Sequence, residues 1–225
     1  MTLSQPVPPL SPPAGRARRK DARPGELLVA ALDVFVERGY TAARLDDIAQ
    51  RAGVSKGTVY LYFKDKEELF EAVVRETLGT LVARGHAVAA GHTGTARSLL
   101  REILSYWWRD IVNDPRLSAL PKLMIAEAGN FPRLALSYYQ IVIEPARALL
   151  RDVLERGMRS GEFRAVATTN FVQFIIGPLL YRQCMQHSFA LAVPGISLGD
   201  DQFFESFLDH LLRSLAPVAP EAAGT

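Results

Sequence analysis

The sequence predicts an all-α chain, with a small three-helix unit at the N-terminus followed by a larger bundle of longer helices. Three observations predict this. Apolar residues recur at helical spacing along most of the chain. No stretch alternates apolar and polar residues with turn dipeptides at hairpin spacing. Glycines and prolines fall mainly between the periodic segments, where they punctuate helices. The chain has 225 residues, 48% of them hydrophobic, which is enough for a real core and argues against global disorder.

Each element follows from local chemistry. Leu28, Ala31, Leu32, Phe35 and Val36 form one buried face between Pro24 and Gly39, a start and stop signal in the expected order. A shorter apolar set, Leu45, Ile48 and Ala49, ends at Gly53. A third segment runs from Ser55 to about Phe63. Asp65 and Glu68 spell a capping box opening a longer helix to about Ala83, with Leu69, Phe70, Val73, Val74 and Leu78 inward. Gly85, Gly91 and Gly94 mark a loop. Helical segments follow over about 95–113, 116–128, 132–160, 167–189 and 200–215, separated by Pro115, Asn130-Phe131-Pro132, Gly161 and Pro194-Gly195. Pro145 and Pro178 fall inside two of these and are expected to kink them, because proline lacks the N–H donor.

Composition removes several function classes. A single cysteine, Cys184, excludes an intrachain disulfide framework and a multi-cysteine zinc site. His86, His92, His187 and His210 show no metal-ligand spacing, so neither a metal nor a cofactor is expected. Met1 to Gly15 has no apolar stretch of the kind an export signal needs. The most apolar later run, residues 174–181, is far short of the roughly 20 residues that span a bilayer. A cytoplasmic protein with no membrane partner is expected. Gly53-Val54-Ser55-Lys56-Gly57 matches the nucleophile-elbow pattern G-x-S-x-G, but that elbow needs a preceding strand, and both flanks here are helical. No enzyme is expected.

Charge is informative by position. The net charge is +2, but residues 1–24 hold Arg16, Arg18, Arg19, Lys20 and Arg23 against Asp21, leaving the rest of the chain acidic. This Pro-rich basic arm reads either as a nucleic-acid arm or as a solvated terminus.

Residues 44–66 carry the functional signal. Two short helices flank a tight turn at Gly53, the geometry of a helix-turn-helix whose second helix enters the DNA major groove. Ile48, Ala49, Val54 and Val59 can fix the angle between them. Ser55 can cap the second helix, and Lys56, Gly57 and Thr58 sit in its first turn, where backbone N–H groups favour phosphate. Tyr60, Tyr62, Lys64 and Lys66 supply phosphate-clamping groups.

On these residues the chain resembles the TetR/AcrR family of bacterial one-component regulators. The matching series is Ala31-Leu32-Asp33-Val34-Phe35, Gly39-Tyr40, Asp46-Asp47-Ile48-Ala49, Ala52 through Tyr60, Tyr62-Phe63 and Lys66-Glu67-Glu68-Leu69. Ile125-Ala126-Glu127, Phe131 to Leu134, Val142 to Pro145 and Gly157 through Phe163 resemble a C-terminal subtype of AcrR-like regulators. The resemblance implies a helix-turn-helix domain over residues 25–72 and a ligand-binding and dimerisation domain over 73–216, between the arm at 1–24 and a tail at 217–225. It implies a homodimeric repressor that binds a palindromic operator on double-stranded DNA and is released by a small-molecule effector. Arg44, Ser55, Lys56, Gly57, Thr58, Tyr60, Tyr62 and Lys66 are the DNA-facing residues it implies. Arg44 and Leu61 depart from the family pattern, standing where a hydroxyl residue and a histidine are frequent.

The implied effector cavity is surrounded by helices carrying Trp107, Trp108, Met124, Tyr138, Tyr139, Phe174 and Tyr181, a set that argues for an apolar or aromatic effector. Gln173, Gln183 and His187 are the polar fixers expected among them, and Arg109 or Arg182, if buried, would pair an acidic effector. Phe171, Ile175 and Leu179 on one helix, with Phe204, Phe207, Leu208 and Leu211 on the other, form the implied four-helix dimer interface, against the alternative of a purely internal core. The segments near 65–83 and 95–113 are expected to join reading head to bundle. The competing class is a helical protein-interaction module without DNA binding.

Overall fold

A computed structural model describes residues 24–193, 195–196 and 200–217. Most of the basic arm and most of the tail lie outside them. The described residues form helices and connecting turns, with no strand among them.

Four helices build the head: α1 (Pro24–Ala42), α2 (Leu45–Ala52), α3 (Lys56–Tyr62) and α4 (Lys66–Val74). Gly39 adopts φ +77°, so the chain leaves helical geometry there, and Gly53 closes α2 in the left-handed region at φ +69°. Asp65 caps α4 by accepting the Glu68 amide at 2.8 Å, and the Glu68 carboxylate accepts the Lys64 amide.

The bundle comprises α5 (Thr80–Gly91), α6 (Ala96–Trp107), α7 (Leu120–Glu127), α8 (Pro132–Tyr138), α9 (Glu144–Arg159), α10 (Thr168–Gln186) and α11 (Asp201–Ser214). A π-helical turn at Arg75–Gly79 joins α4 to α5, another at Trp108–Val112 extends α6, and a third at Tyr139–Ile143 joins α8 to α9. The first and third cross closely. A methyl group added at Gly79 would stand 2.9 Å from Ile141 Cγ2.

One expectation is corrected here. Gly85 and Gly91 lie within α5 rather than in a loop. Gly85 lets α5 approach α9, since a Cβ there would reach 2.9 Å from Leu149 Cδ2. Pro145 lies, as expected, inside the unbroken helical run from Pro132 to Arg159, just after the π turn at Tyr139–Ile143 that interrupts the regular hydrogen-bond ladder. Pro178 does lie inside α10.

The buried apolar residues form two clusters. One holds the head, including Leu27, Phe35, Tyr40, Ile48, Val59 and Phe70, and continues into Leu120, Leu123 and Met124 of α7 and Leu134 and Tyr138 of α8. The other joins α6, α9, α10 and α11 through Leu100, Ile103, Trp108, Leu150, Leu154, Ile175 and Leu208. The head therefore shares its core with α7 and α8, whereas 95–113 belongs mainly to the second cluster. Of the two segments expected to join head to bundle, 65–83 does run from the head's core to Leu78 and Val82, while 95–113 lies away from the head.

The residues expected at a dimer interface also separate. Ile175, Leu179, Phe204, Leu208 and Leu211 are buried within the chain, and Phe171 and Phe207 partly so. Phe204 stacks on Trp108 at 4.8 Å between centroids, so α11 spends this face on its own subunit. The exposed apolar side chains of α10 are Phe174 and Tyr181, 71% and 67% exposed.

Candidate nucleic-acid interface and ligand cavity

The head presents α3 on a polar shoulder. Ser55 Oγ accepts the Thr58 amide at 3.1 Å and shares a hydrogen bond with the Thr58 hydroxyl at 2.9 Å, which closes the first turn. Val59 is the buried anchor of the helix. At 3.6 residues per turn, positions two away on either side point the opposite way, so Gly57 and Leu61 occupy the outermost line of α3. Lys56 and Tyr60 flank that line on one side, Thr58 and Tyr62 on the other. Lys56, Gly57, Tyr60, Leu61 and Tyr62 are exposed, and Thr58 is half-buried.

Charge on this face is organised. Asp46 of α2 pairs with Lys56 at 2.9 Å and raises its pKa. Arg44 is exposed at the start of α2 and near enough to act on Lys56 electrostatically. Arg51 pairs with Glu37 and Arg38 with Asp47, tying α2 to α1.

Lys66, expected to clamp phosphate, is directed inward, which is a correction. Its Nζ donates to the carbonyl oxygens of Tyr40, Thr41 and Ala43 at 2.7, 3.2 and 3.1 Å and lies 4.5 Å from the Tyr40 ring centroid. Burial holds its pKa below the ordinary value, against the opposing pull of Glu127. An ammonium has three donors, and all three are occupied by the carbonyls that the end of α1 leaves open.

A cavity of about 470 Å³ lies where the two cores meet. The size is ordinary for a small-molecule site. Trp107, Met124, Tyr138 and Tyr139 line it together with Leu78, Val82, Val142, Ile143, Leu179 and Gln183. All three π turns contribute wall residues, through Leu78, through Ile111 and Val112, and through Tyr139, Val142 and Ile143. Such turns recur where helices have been adapted for function. Among the described residues no charged side chain lines the cavity. Among the described residues Trp107 Nε1 is buried without a hydrogen-bond partner, and Gln183 is a buried polar side chain on the wall. Burial alone pushes the Tyr138 phenol well above its usual range, so it stays protonated.

Five expected ligand residues lie off this cavity. Trp108 Nε1 donates to Asp201 at 2.8 Å, and the Arg182 guanidinium lies 4.6 Å from its ring centroid. His187 shares a hydrogen bond with Ser118 at 2.8 Å. Gln173, Phe174 and Tyr181 are exposed on α10, which turns its Val172, Ile175, Leu179 and Gln183 side inward instead. Arg109 is exposed and paired with Asp110.

Sequence reasoning missed the seam between cavity and head. Met124 and Ile125 of α7 line the cavity, while Glu127 on the same helix accepts hydrogen bonds from the Thr41 amide and hydroxyl. Phe131 meets the Tyr40 ring edge-on at 4.8 Å, Arg116 pairs with Asp33, and Ser137 donates to Glu71. No local periodicity marks contacts between residues so far apart in the chain.

Comparison with known proteins agrees with this geometry. Residues 27–73 match the family described as bacterial regulatory proteins, tetR family, and residues 90–192 match the tetracyclin repressor-like C-terminal domain. The chain is 43% identical over 107 residues to the HTH-type transcriptional activator FasR of Mycolicibacterium smegmatis, an overlap of 45% of this chain and 48% of that protein. It is 27% identical over 209 residues to the HTH-type transcriptional repressor KstR2 of the same species, covering 82% of this chain and 94% of the relative. The fold resembles the crystal structure of FadR from Bacillus subtilis in complex with stearoyl-CoA, with a TM-score of 0.72 at 23% identity, over 86% of this chain and 100% of the other.

Proposed function

The chain belongs to the TetR family of bacterial regulatory proteins, and on that footing we propose that it is a cytoplasmic repressor, not an enzyme. It binds a palindromic operator as a homodimer and releases it when an uncharged, largely apolar molecule fills the cavity. The observation that carries this reading is the position of that cavity. Met124 and Tyr138 belong both to its wall and to the apolar core of the reading head.

The residues take the following roles. Lys56, Gly57, Thr58, Tyr60 and Tyr62 face DNA from α3, Ser55 sets the helix, and Arg44 reaches the backbone from α2. Trp107, Met124, Tyr138, Tyr139 and Gln183 meet the effector. Phe174 and Tyr181, one side of α10, form the centre of the contact between two copies, which sets the spacing of the heads to whole turns of DNA, about 34–36 Å each. The stearoyl chain of the ligand in FadR supports an apolar occupant of the cavity, the charged CoA of that ligand being the part an uncharged cavity would not hold, and the repressor role named for KstR2 supports repression. FasR, named as an activator, favours a second reading in which the occupied operator promotes transcription.

A ligand shifts the equilibrium between binding and non-binding conformers only by its differential affinity for them. A 100-fold loss of operator affinity takes about 2.7 kcal/mol of coupling. The path proposed for it is α7, which carries the cavity residues Met124 and Ile125 and the head-contacting Glu127 on one helix.

The test is an electrophoretic shift with duplex DNA from the region upstream of the protein's own gene. A salt-sensitive, sequence-specific shift that a neutral apolar compound reverses supports the reading. Absence of any specific shift overturns it in favour of a protein-interaction module. A reporter under the same DNA separates repression from activation.

A further inference from the structure

We propose that Leu61 reads the C5-methyl group of a thymine in each operator half-site, and so sets sequence preference; this rests on the DNA-binding reading above. Leu61 is 77% exposed on the outermost line of α3, two residues past the buried Val59 and one turn after Gly57. It makes no part of the head's core. An exposed leucine alone is ordinary, but this one is bracketed by groups suited to phosphate and sugar. Lys56 and Tyr60 lie along one flank, Thr58 and Tyr62 along the other, and Lys64 follows α3. The line between such flanks is the part of the helix that faces the floor of the groove.

Gly57 points the same way. A Cβ there would meet only Ser55 Oγ, at an ordinary 3.7 Å, so nothing inside the protein requires glycine. Glycine in a helix is unfavourable by about 1 kcal/mol relative to alanine, a cost the fold does not explain. Close approach by an outside surface does explain it. Leu61, one turn along, is then carried to the base edges. Leucine has no hydrogen-bonding group. In the major groove the thymine methyl is the apolar feature it can recognise, while every other edge presents donors or acceptors.

The test uses duplexes enriched from a random library by the full chain. Each thymine of the enriched site is replaced in turn by uracil, which differs only by that methyl, and affinity is measured by fluorescence anisotropy at fixed salt. At one position per half-site, uracil weakens wild-type binding about three- to fivefold, the weight of one buried methyl group. Leu61→Ala binds the thymine and uracil duplexes equally, and its melting temperature matches wild type because the side chain is exposed. A wild type indifferent to uracil everywhere, or a Leu61→Ala variant that keeps the uracil penalty, overturns the proposal. Failure to enrich any duplex overturns the DNA-binding reading itself, and the role of Leu61 with it.

Discussion

Glu127 accepts hydrogen bonds from both the backbone amide and the hydroxyl of Thr41, at 3.2 and 3.0 Å, across 86 residues of chain. Thr41 lies at the end of α1, beside Tyr40, whose ring packs in the head's core. Glu127 lies in the last turn of α7, between the cavity residues Met124, Ile125 and Ala128. One carboxylate thus ties the wall of the cavity to the frame that holds α2 and α3.

Loosening this tie weakens communication more than folding. Thr41 is exposed and Glu127 half-buried at the surface, so Thr41→Val and Glu127→Gln keep a melting temperature close to wild type. Each retains operator binding without effector, but the loss of affinity caused by a saturating effector shrinks several-fold. Operator titrations with and without effector measure it, and an undiminished response in both variants removes this contact from the coupling path.

Lys66→Ala lowers stability rather than the count of phosphate contacts. It strands three carbonyls at the end of α1, a loss of about 2 kcal/mol. For a chain of this size that is roughly 4–8 °C in Tm. The slope of log affinity against log salt stays at its wild-type value, and a slope smaller by about one unit would return Lys66 to the phosphate.

Glu162 makes stability depend on acid. Burial raises its pKa, but the amides of Ala96 and Arg97, at 3.0 and 3.1 Å, and the Ser160 hydroxyl outweigh this and hold it below the ordinary 4.5. A carboxylate with a depressed folded pKa adds stability above the unfolded pKa and loses it as pH falls through the folded value. Glu162→Gln is therefore less stable than wild type at neutral pH, and the gap closes as pH falls through the depressed folded value. Thermal melts across that range check this, and a gap independent of pH contradicts it.

Gly157→Ala disrupts the end of α9, because the new Cβ would run into the Phe163 ring. Overpacking of this kind costs about 1–3 kcal/mol. The penalty shrinks when combined with Phe163→Leu, as expected for residues in contact. Chemical denaturation of the single and double variants measures it, and strict additivity would contradict the contact.

The head was legible in the sequence because its determinants are local. Ser55, Gly53 and the Asp65–Glu68 pair act within four residues, and each takes the structural place its chemistry suggests. Lys66 misled because a lysine beside a DNA-reading helix looks the same whether it faces phosphate or three carbonyls of a neighbouring helix. The cavity was less legible. α10 carries apolar residues on nearly every side, so periodicity could not separate the inward Ile175 and Leu179 from the exposed Phe174 and Tyr181. The π turns rotate the wall by a fraction of a turn, which a period of 3.6 cannot anticipate.

The measurement that bears most directly on the account is operator affinity with and without a neutral occupant of the cavity. Full-length protein is titrated with an enriched fluorescent duplex in the presence of 1-decanol or of decanoate at pH 8, and Tm is recorded with each. The cavity holds no charged partner among the described residues, so decanol raises Tm and weakens duplex binding, while ionised decanoate does neither. Ile143→Trp, which fills the cavity at its edge, loses the response to decanol. A decanol that raises Tm and leaves duplex affinity unchanged, or a decanoate that acts as strongly, would contradict the claim that filling this cavity controls the reading head.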